Sequence, residues 1–446
     1  MPLPRVKVPQ TTMYRRAMAE ADFLEEARRV LAHQPLACFL DSAGPTGERS
    51  GRMLLSGPVT AVIVEDDNGV RYRDRDRGPW TPLEPASWRT WLGDFRQGGW
   101  DEAGPALFPL LTYEAHNPWG RPLRPHPLWQ GPAAVWLLTE CTWHYDRGSE
   151  TLSYREPLGP GLHSFPWAQT AETALGWRES EREYHQKINL VQKDIYEGNY
   201  YQANLSQRFL GHTAKPPLSI YQELRQRNPS PFMGVFRLAD LWVISGSPER
   251  LFSLDGDRLS ARPIAGTRPR HPESGQDARF RRELVDSPKE RAEHLMLVDL
   301  IRNDLGRVAA PGTVQVEEFS VVESYSHVHH LVSQVSARLA EEKSLMDVIE
   351  SMFPGGTITG APKIACIRSL TQLEGEARGP YTGSMGYVNG MGRADFNILI
   401  RTLIQRNHRV CFHGGGGIVA DSACAAEYME TRYKCMALME ALGIEA

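Results

Sequence analysis

The six cysteines of this 446-residue chain, Cys38, Cys141, Cys366, Cys411, Cys424 and Cys435, lie far apart, with no CxxC spacing and no paired framework. That excludes a disulfide-stapled scaffold, and free thiols in a reducing cytoplasm are expected. Residues 1–30 contain no apolar stretch of signal-peptide length, and no later segment approaches the ~20 apolar residues of a membrane span. Neither sign of charge is in excess: 54 acidic against 50 basic side chains leave a net charge of −4. Nucleic acid and anionic membranes call for concentrated Lys and Arg, so neither is an expected partner. There is also no internal repeat and no low-complexity tract. What is present is an ordinary composition, 41% hydrophobic and 23% charged, with enough chain to bury a large core unaided.

From residue 35 to about 154, short apolar runs (LACFL, MLLSG, VTAVIV, PLLTY, AAVWLLTE) alternate with Gly, Pro and Asp, which predicts mostly strand. A Pro/Gly-rich stretch at 155–167 reads as a seam, so residues 1–160 and 175–446 are expected to be two regions packed into one compact unit. Ser180 followed by Glu183 predicts a capped helix carrying Tyr184, Ile188, Val191 and Ile195 inward. Ser287, Pro288 and Glu290 occupy the cap, first and third positions of a second helix running to Gly306. Further strand candidates (LWVISGS, RLSARPIAG, TVQVEEFSVV, HLVSQVSARL, GSMGYVNG, FNILIRTLI, RVCFHGG) precede a last helix at roughly 425–442. The expected class is α+β with predominantly antiparallel sheets.

Residues 353–363, FPGGTITGAPK, read as a bare loop feeding a helix, with Pro362 at the first helical position. Backbone N–H groups at such a loop can close around an anion. A phosphate P-loop needs Gly-Lys-Ser/Thr, and Gly360 is followed by Ala361 and Pro362, so a carboxylate is the better guest. Gly414 to Gly417 read as a second bare loop, with Arg401 and Lys434 as carboxylate partners or as plain surface ion pairs. Glu290 with Glu293, and Glu427 with Glu430, project from single helical turns. Two such pairs facing each other would suit a hard cation such as Mg2+, whereas apart they are solvated faces. Glu249, where the run LWVISG ends, could protonate a leaving hydroxyl if burial raised its pKa, or could be a salt-bridge partner. His330 alternates with apolar residues and reads as a buried, hydrogen-bonded histidine.

Taken together and in this order, YQANLSQRF, GSPERLF, PIAGTRPR, AEHLMLVDLIRNDLGR, HHLVSQV, FPGGTITGAPK, GSMGYV, IRT and GGGGIVADS followed by AEYMETRYK resemble the chorismate-utilising enzymes. The resemblance implies a large antiparallel two-sheet sandwich flanked by helices. It implies that Glu293 and Glu430 ligate Mg2+, with Glu290 and Glu427 holding its waters, and that the metal receives the ring carboxylate of chorismate. Arg401, Tyr387 and Gly415, Gly416 and Gly417 would take the enolpyruvyl carboxylate, and Lys434, Thr267, Thr359 and Gly360 other parts of the substrate. Glu249 corresponds to the general acid for the departing C4 hydroxyl, and His330 to a histidine placed against the ring.

The water-using branch carries a lysine base where this chain has Gln202, which cannot deprotonate water, so ammonia is the implied nucleophile. No cysteine stands in the GxCxG context of a glutamine amidotransferase, which implies a separate glutaminase subunit. The phrases around FPGGTITGAPK lean toward the branch making 4-amino-4-deoxychorismate for p-aminobenzoate and folate synthesis. Ala265, where many members of that branch carry a lysine, leans toward the anthranilate-forming branch. A non-catalytic paralogue that binds chorismate or tryptophan is a third class, against which the retained acids argue. In the family the N-terminal half can hold tryptophan, and the matching residues are Ser42, Pro231 and Met233, which could equally be core.

Overall fold

The computed structural model describes residues 6, 12–44, 51–75, 79–115, 122, 124–157, 159–162, 164–165, 175–324 and 328–444, so part of the predicted seam lies outside the described residues. Among the described residues, two sheets of 12 strands each form a sandwich, and every strand pair in them is antiparallel. One sheet runs from Tyr14–Ala17 through Leu36–Asp41, Phe232–Leu238, Leu241–Ser247, Thr402–Arg406 and Arg409–Ile418 to Gln202–His212. The other runs from Ile264–Pro269 through Val328–Arg338, Arg250–Asp255, Arg393–Asn397, Ser384–Asn389 and Ala106–Leu111 to Ala134–Thr139 and Val59–Asp66. The fold is therefore α+β, as the sequence predicts. Strands from both ends of the chain share each sheet: Leu36–Asp41 pairs with Phe232–Leu238, and Ala106–Leu111 with Ser384–Asn389.

The inner faces meet in a core that includes Cys38, Phe236 and Val243 from one sheet and Val62, Phe108 and Leu137 from the other. Helices Glu20–His33, Pro217–Arg227 and Cys424–Leu442 cover the first sheet through Phe23, Ile220 and Leu438. Helices Pro85–Arg96, Pro288–Gly306 and Leu345–Met352 cover the second through Trp88, Ile301 and Ile349. Where apolar residues on both faces of a sheet are buried, their burial at about 25 cal/mol per Å2 is the main favourable term.

The predicted helix caps form. Ser180 and Glu183 make a reciprocal capping box at the start of Glu181–Tyr196, with Tyr184, Ile188 and Val191 buried. Ser287 Oγ accepts from the Glu290 N–H at 3.3 Å. Three expectations need correction. Pro362 is the N-cap of Lys363–Glu374, in an extended conformation, and not its first helical residue. Gly414 to Gly417 form the end of the strand Arg409–Ile418, paired with Gln202–His212, and not a loop. FNILIRTLI is not one strand: Arg393–Asn397 lies in one sheet and Thr402–Arg406 in the other, so residues 398–401 cross between sheets.

Candidate active site

A second crossover lies beside the first. The chain leaves one sheet at the end of Leu241–Ser247 and enters the other at Arg250–Asp255, so Glu249 sits on the step between layers. The two steps are stitched together: Ile398 N–H donates to the Glu249 carbonyl at 3.0 Å, and Gly246 N–H to the Arg401 carbonyl at 2.9 Å. Arg401 has φ +49°, a left-handed conformation that a non-glycine residue adopts only where its surroundings impose it. The sandwich thus presents an acid and a guanidinium from adjacent, cross-braced turns.

Glu249 is 6% exposed, and burial pushes its carboxyl up to about 7. A hydrogen bond from Thr357 Oγ1 to its Oε1 at 2.9 Å, and the charges of Lys434 and Arg401, oppose that rise without cancelling it. A carboxyl titrating there holds a proton near neutral pH and can release it, which a general acid requires. The same shift makes a stability prediction. Because the folded-state pKa lies above the unfolded one, the cost of ionising buried Glu249 is absent below the unfolded pKa. It grows as pH rises toward the folded pKa and is constant above it. Glu249→Gln is expected to be more stable than the parent at pH 8 by on the order of 3 kcal/mol, with the difference vanishing near about pH 4. Thermal unfolding of both proteins across that range measures it.

The glycine strand forms the next wall. Its pairing with Thr402–Arg406 stops at Leu403↔Phe412, so residues 414–417 are paired only with Gln202–His212 among the described residues. Helix Cys424–Leu442 presses on this bare stretch. A Cβ on Gly414 would lie 2.4 Å from the Thr431 carbonyl oxygen. One on Gly416 would face Glu427 Oε2 at 3.4 Å, Glu430 Oε1 at 3.8 Å and Lys434 Nζ at 4.0 Å. Glycine is required at Gly414, where the helix backbone approaches closely, and the charged tips gather beside Gly416, a packing that the loop reading of GGGG does not contain. Lys434 bridges Glu430 at 2.7 Å and donates to the Gly415 carbonyl at 3.2 Å. Glu427 is buried, its Oε1 accepting from Ser422 Oγ at 2.7 Å.

The third wall comes from Ile264–Pro269 and Val328–Arg338. His330 lies opposite Thr267, whose hydroxyl meets its Nδ1 at 2.9 Å. Burial, with the Arg401 charge next, lowers His330 to about 4, so the ring is neutral at physiological pH. Glu290 rises from the N-terminal turn of Pro288–Gly306 to Gly266, whose φ of +59° and lack of a Cβ admit the carboxylate: a Cβ would lie 2.6 Å from Glu290 Oε2. Arg268 Nη1 donates to Glu290 Oε1 at 3.1 Å. Glu293 projects from the same helix one turn on. Ala265 is buried beside this group, opposite Leu331. Close approach, hydrogen bonding and charge link these groups: Glu290 packs on Gly266, Thr267 bonds His330, the Arg401 charge acts on His330 and Glu249, and Lys434 acts on Glu249 and pairs with Glu430.

The stretch 353–363 closes the cleft as a packed turn. Gly356–Ile358 is a single 3-10 turn, and Gly360–Ala361 bridges to Gln202 and Ala203. A Cβ on Gly356 would lie 2.2 Å from Leu300 Cδ2, and one on Gly360, at φ +129°, 2.1 Å from the Gln202 carbonyl oxygen. Thr359 is fully buried and donates to the Gly355 carbonyl at 2.8 Å, which turns its hydroxyl into the turn. Thr357, which the sequence reading passed over, is the hydroxyl that reaches Glu249. Gln202 lies over Gly417, whose Cβ would be 2.2 Å from its Nε2.

Tyr387 departs from its expected place. It lies opposite Asp395, and the charges that act on it most are Asp395, Arg52, Arg250 and Arg393, none of them among the cleft groups above. Strand pairing decides this, because Tyr387 belongs to Ser384–Asn389 and faces that strand's neighbours. The cleft tyrosine is Tyr381, six residues earlier, whose hydroxyl would be 2.8 Å from a Cβ on Gly415. GPYTG, a turn signal before the strand, was the clue. Ser42, Pro231 and Met233 gather at the ends of the paired strands Leu36–Asp41 and Phe232–Leu238. Ser42 Oγ accepts from Gly51 N–H at 3.0 Å, Pro231 packs on Gly44, and Met233 is buried among core residues.

Among the described residues, one polar cluster outside the cleft has metal-ligand chemistry: His126, Cys411 and His413, all buried. His126 Nδ1 accepts from both Leu128 and Trp129 N–H groups, at 3.1 and 2.9 Å, so its proton resides on Nε2. That nitrogen points at Cys411 Sγ, 3.5 Å away, and is not bare for a metal.

Residues 37–440 match the model of a protein family described as chorismate binding enzyme. Anthranilate synthase component 1 of Streptomyces coelicolor is 44% identical over 270 residues, 60% of this chain and 53% of that protein. Aminodeoxychorismate synthase component 1 of Klebsiella aerogenes is 43% identical over 294 residues, 65% of each. The chain matches less than two thirds of the length of these curated relatives. The crystal structure of anthranilate synthase component I from Streptococcus pneumoniae superposes with a TM-score of 0.75 at 26% identity, covering 88% of this chain and 93% of that one. With the family model spanning nearly the whole sandwich and every wall of the cleft, this chain belongs to the chorismate binding enzyme family.

Proposed function

We propose that this chain aminates chorismate at C4, using ammonia supplied by a separate glutaminase subunit, and releases 4-amino-4-deoxychorismate. The observation that carries the reading is Glu249, a buried carboxyl titrating at about 7 between Arg401, Lys434 and Thr357. Hydroxide is a poor leaving group without a proton. Glu249 gives its proton to the C4 hydroxyl, which departs as water, while the ammonia lone pair forms the C4–N bond. The nitrogen then sheds one proton, and the carboxylate regains it. Gln202 supports ammonia over water as nucleophile, since an amide cannot act as base. Arg401, Tyr381 and the edge of the glycine strand left unpaired beyond Phe412 suit a carboxylate, with bidentate pairing available at the guanidinium.

The acids Glu290, Glu293, Glu427 and Glu430 offer only carboxylate oxygens, and two of them converge over Gly416. That donor set fits a hard divalent cation, and Glu293 and Glu430 would hold Mg2+ with Glu290 and Glu427 on its waters. A bound Mg2+ would draw electron density toward the ring carboxylate of the substrate. His330, neutral and held by Thr267, offers an uncharged face to the ring.

A second reading, anthranilate formation with loss of pyruvate, is favoured by Ala265, which cannot form a covalent adduct with the ring. One assay separates the two. The purified chain with chorismate, Mg2+ and ammonium is expected to consume chorismate and to yield p-aminobenzoate only after a lyase is added. Direct appearance of fluorescent anthranilate would overturn amination at C4 as the outcome, and tight chorismate binding without turnover would overturn both.

A further inference from the structure

Arg378 is 1% exposed, and its guanidinium is spent entirely on the scaffold behind the cleft. Its Nε and Nη2 donate to the two oxygens of Glu374 at 2.8 and 2.7 Å. Nη1 donates to the Ile358 carbonyl at 3.1 Å and to Thr382 Oγ1 at 3.3 Å, and Nη2 also to the Asn204 carbonyl at 2.6 Å. The plane lies over the Tyr113 ring, 4.5 Å from its centroid, with Tyr381 at 5.8 Å. Glu374 in turn accepts from Ser206 N–H and Ser206 Oγ, both at 2.8 Å.

Three of these partners, Ile358, Asn204 and Thr382, lie within two residues of a cleft group. Ile358 follows Thr357, the donor to Glu249. Asn204 lies two residues from Gln202, and its N–H holds the Thr359 carbonyl at 2.9 Å. Tyr381 and Thr382 form the turn whose tyrosine abuts Gly415. Three separate pieces of chain, the turn at 353–362, the strand Gln202–His212 and the turn at 378–382, are thereby registered on one planar cation. A guanidinium can do this because its five donors point outward in a fixed fork, whereas an ammonium presents three donors from one point.

Resting on the amination reading above, we infer that Arg378 is a positioning residue for catalysis: it sets Thr357, and through it the proton on Glu249, without touching substrate. Loosening the Ile358 carbonyl frees Thr357, and Glu249 then loses a hydrogen bond that favours its ionised form, so the acid holds its proton to higher pH.

The test is Arg378→Lys, which keeps the charge beside Glu374, compared with Arg75→Lys, whose partly buried ion pair with Glu140 joins the ends of strands Gly69–Asp74 and Ala134–Thr139. Both are expected to lower the melting temperature. At constant free ammonia, Arg378→Lys is expected to lower kcat by roughly 100-fold with little change in KM for chorismate. It should also move the alkaline limb of kcat upward in pH, while Arg75→Lys moves neither. If Arg378→Lys does not fold, Glu374→Gln takes its place, with a smaller shift of the limb in the same direction. Loss of melting temperature with the alkaline limb unmoved would overturn the inference. A parent protein that turns over no chorismate would instead refute the amination reading.

Discussion

Glu249→Gln is expected to lose about a thousandfold in kcat with chorismate while chorismate affinity is largely preserved, because a positioned general acid contributes roughly 10^2 to 10^4. The substitution is nearly isosteric, and the amide can still accept from Thr357 Oγ1, so the bond at 2.9 Å and the braced crossover survive. What disappears is a proton available near neutral pH. Arg401 and Lys434, whose charges now oppose the rise in the Glu249 pKa, would keep their proposed hold on substrate carboxylates. Calorimetry with chorismate, alongside steady-state rates, separates the two quantities. Equal loss of binding and turnover would show that Glu249 is structural.

The second large effect is expected at Glu430. Its side chain is exposed, and its bridge to Lys434 is an i,i+4 surface pair worth about 0.5 kcal/mol or less, so Glu430→Ala leaves the fold intact. As a proposed metal ligand, its removal should cost several kcal/mol of transition-state stabilisation, at least about 100-fold in rate, and should flatten the dependence on Mg2+. Direct Mg2+ titration by calorimetry should lose its heat in the variant. An unchanged activation curve and unchanged heat would reassign Glu430 to a solvated helix face.

Local features of the chain were readable where the controlling contacts are local. Capping pairs such as Ser180 with Glu183 name a helix start because donor and acceptor are three residues apart. Runs such as VTAVIV name a strand for the same reason. The glycine run reads as a loop because glycine is a poor strand former by propensity, whereas a Cβ would meet Thr431 of the last helix at Gly414, Tyr381 and Asn204 at Gly415, and Gln202 at Gly417. Tyr387 was placed in the cleft and Tyr381 omitted because only the crossover between sheets distinguishes them. Helices such as Glu20–His33 and Ser274–Asp286 went unmarked, for neither start has a side-chain cap. Nothing in GSPERLF indicates a carboxyl titrating at about 7, since that value comes from the layers that close over it.

The interleaving of early and late strands has a consequence for synthesis. Leu36–Asp41 leaves the ribosome long before Phe232–Leu238 exists to pair with it, and Ala106–Leu111, buried throughout, waits for the much later Ser384–Asn389. Until then each strand has a partner on one side only, Arg52–Ser56 for the first and Ala134–Thr139 for the second, and its other edge presents unpaired backbone to solvent, the condition that favours edge-to-edge association. The nascent chain is therefore most vulnerable to aggregation while these two edges wait for their distant partners, and a ribosome-bound chaperone would have its work there.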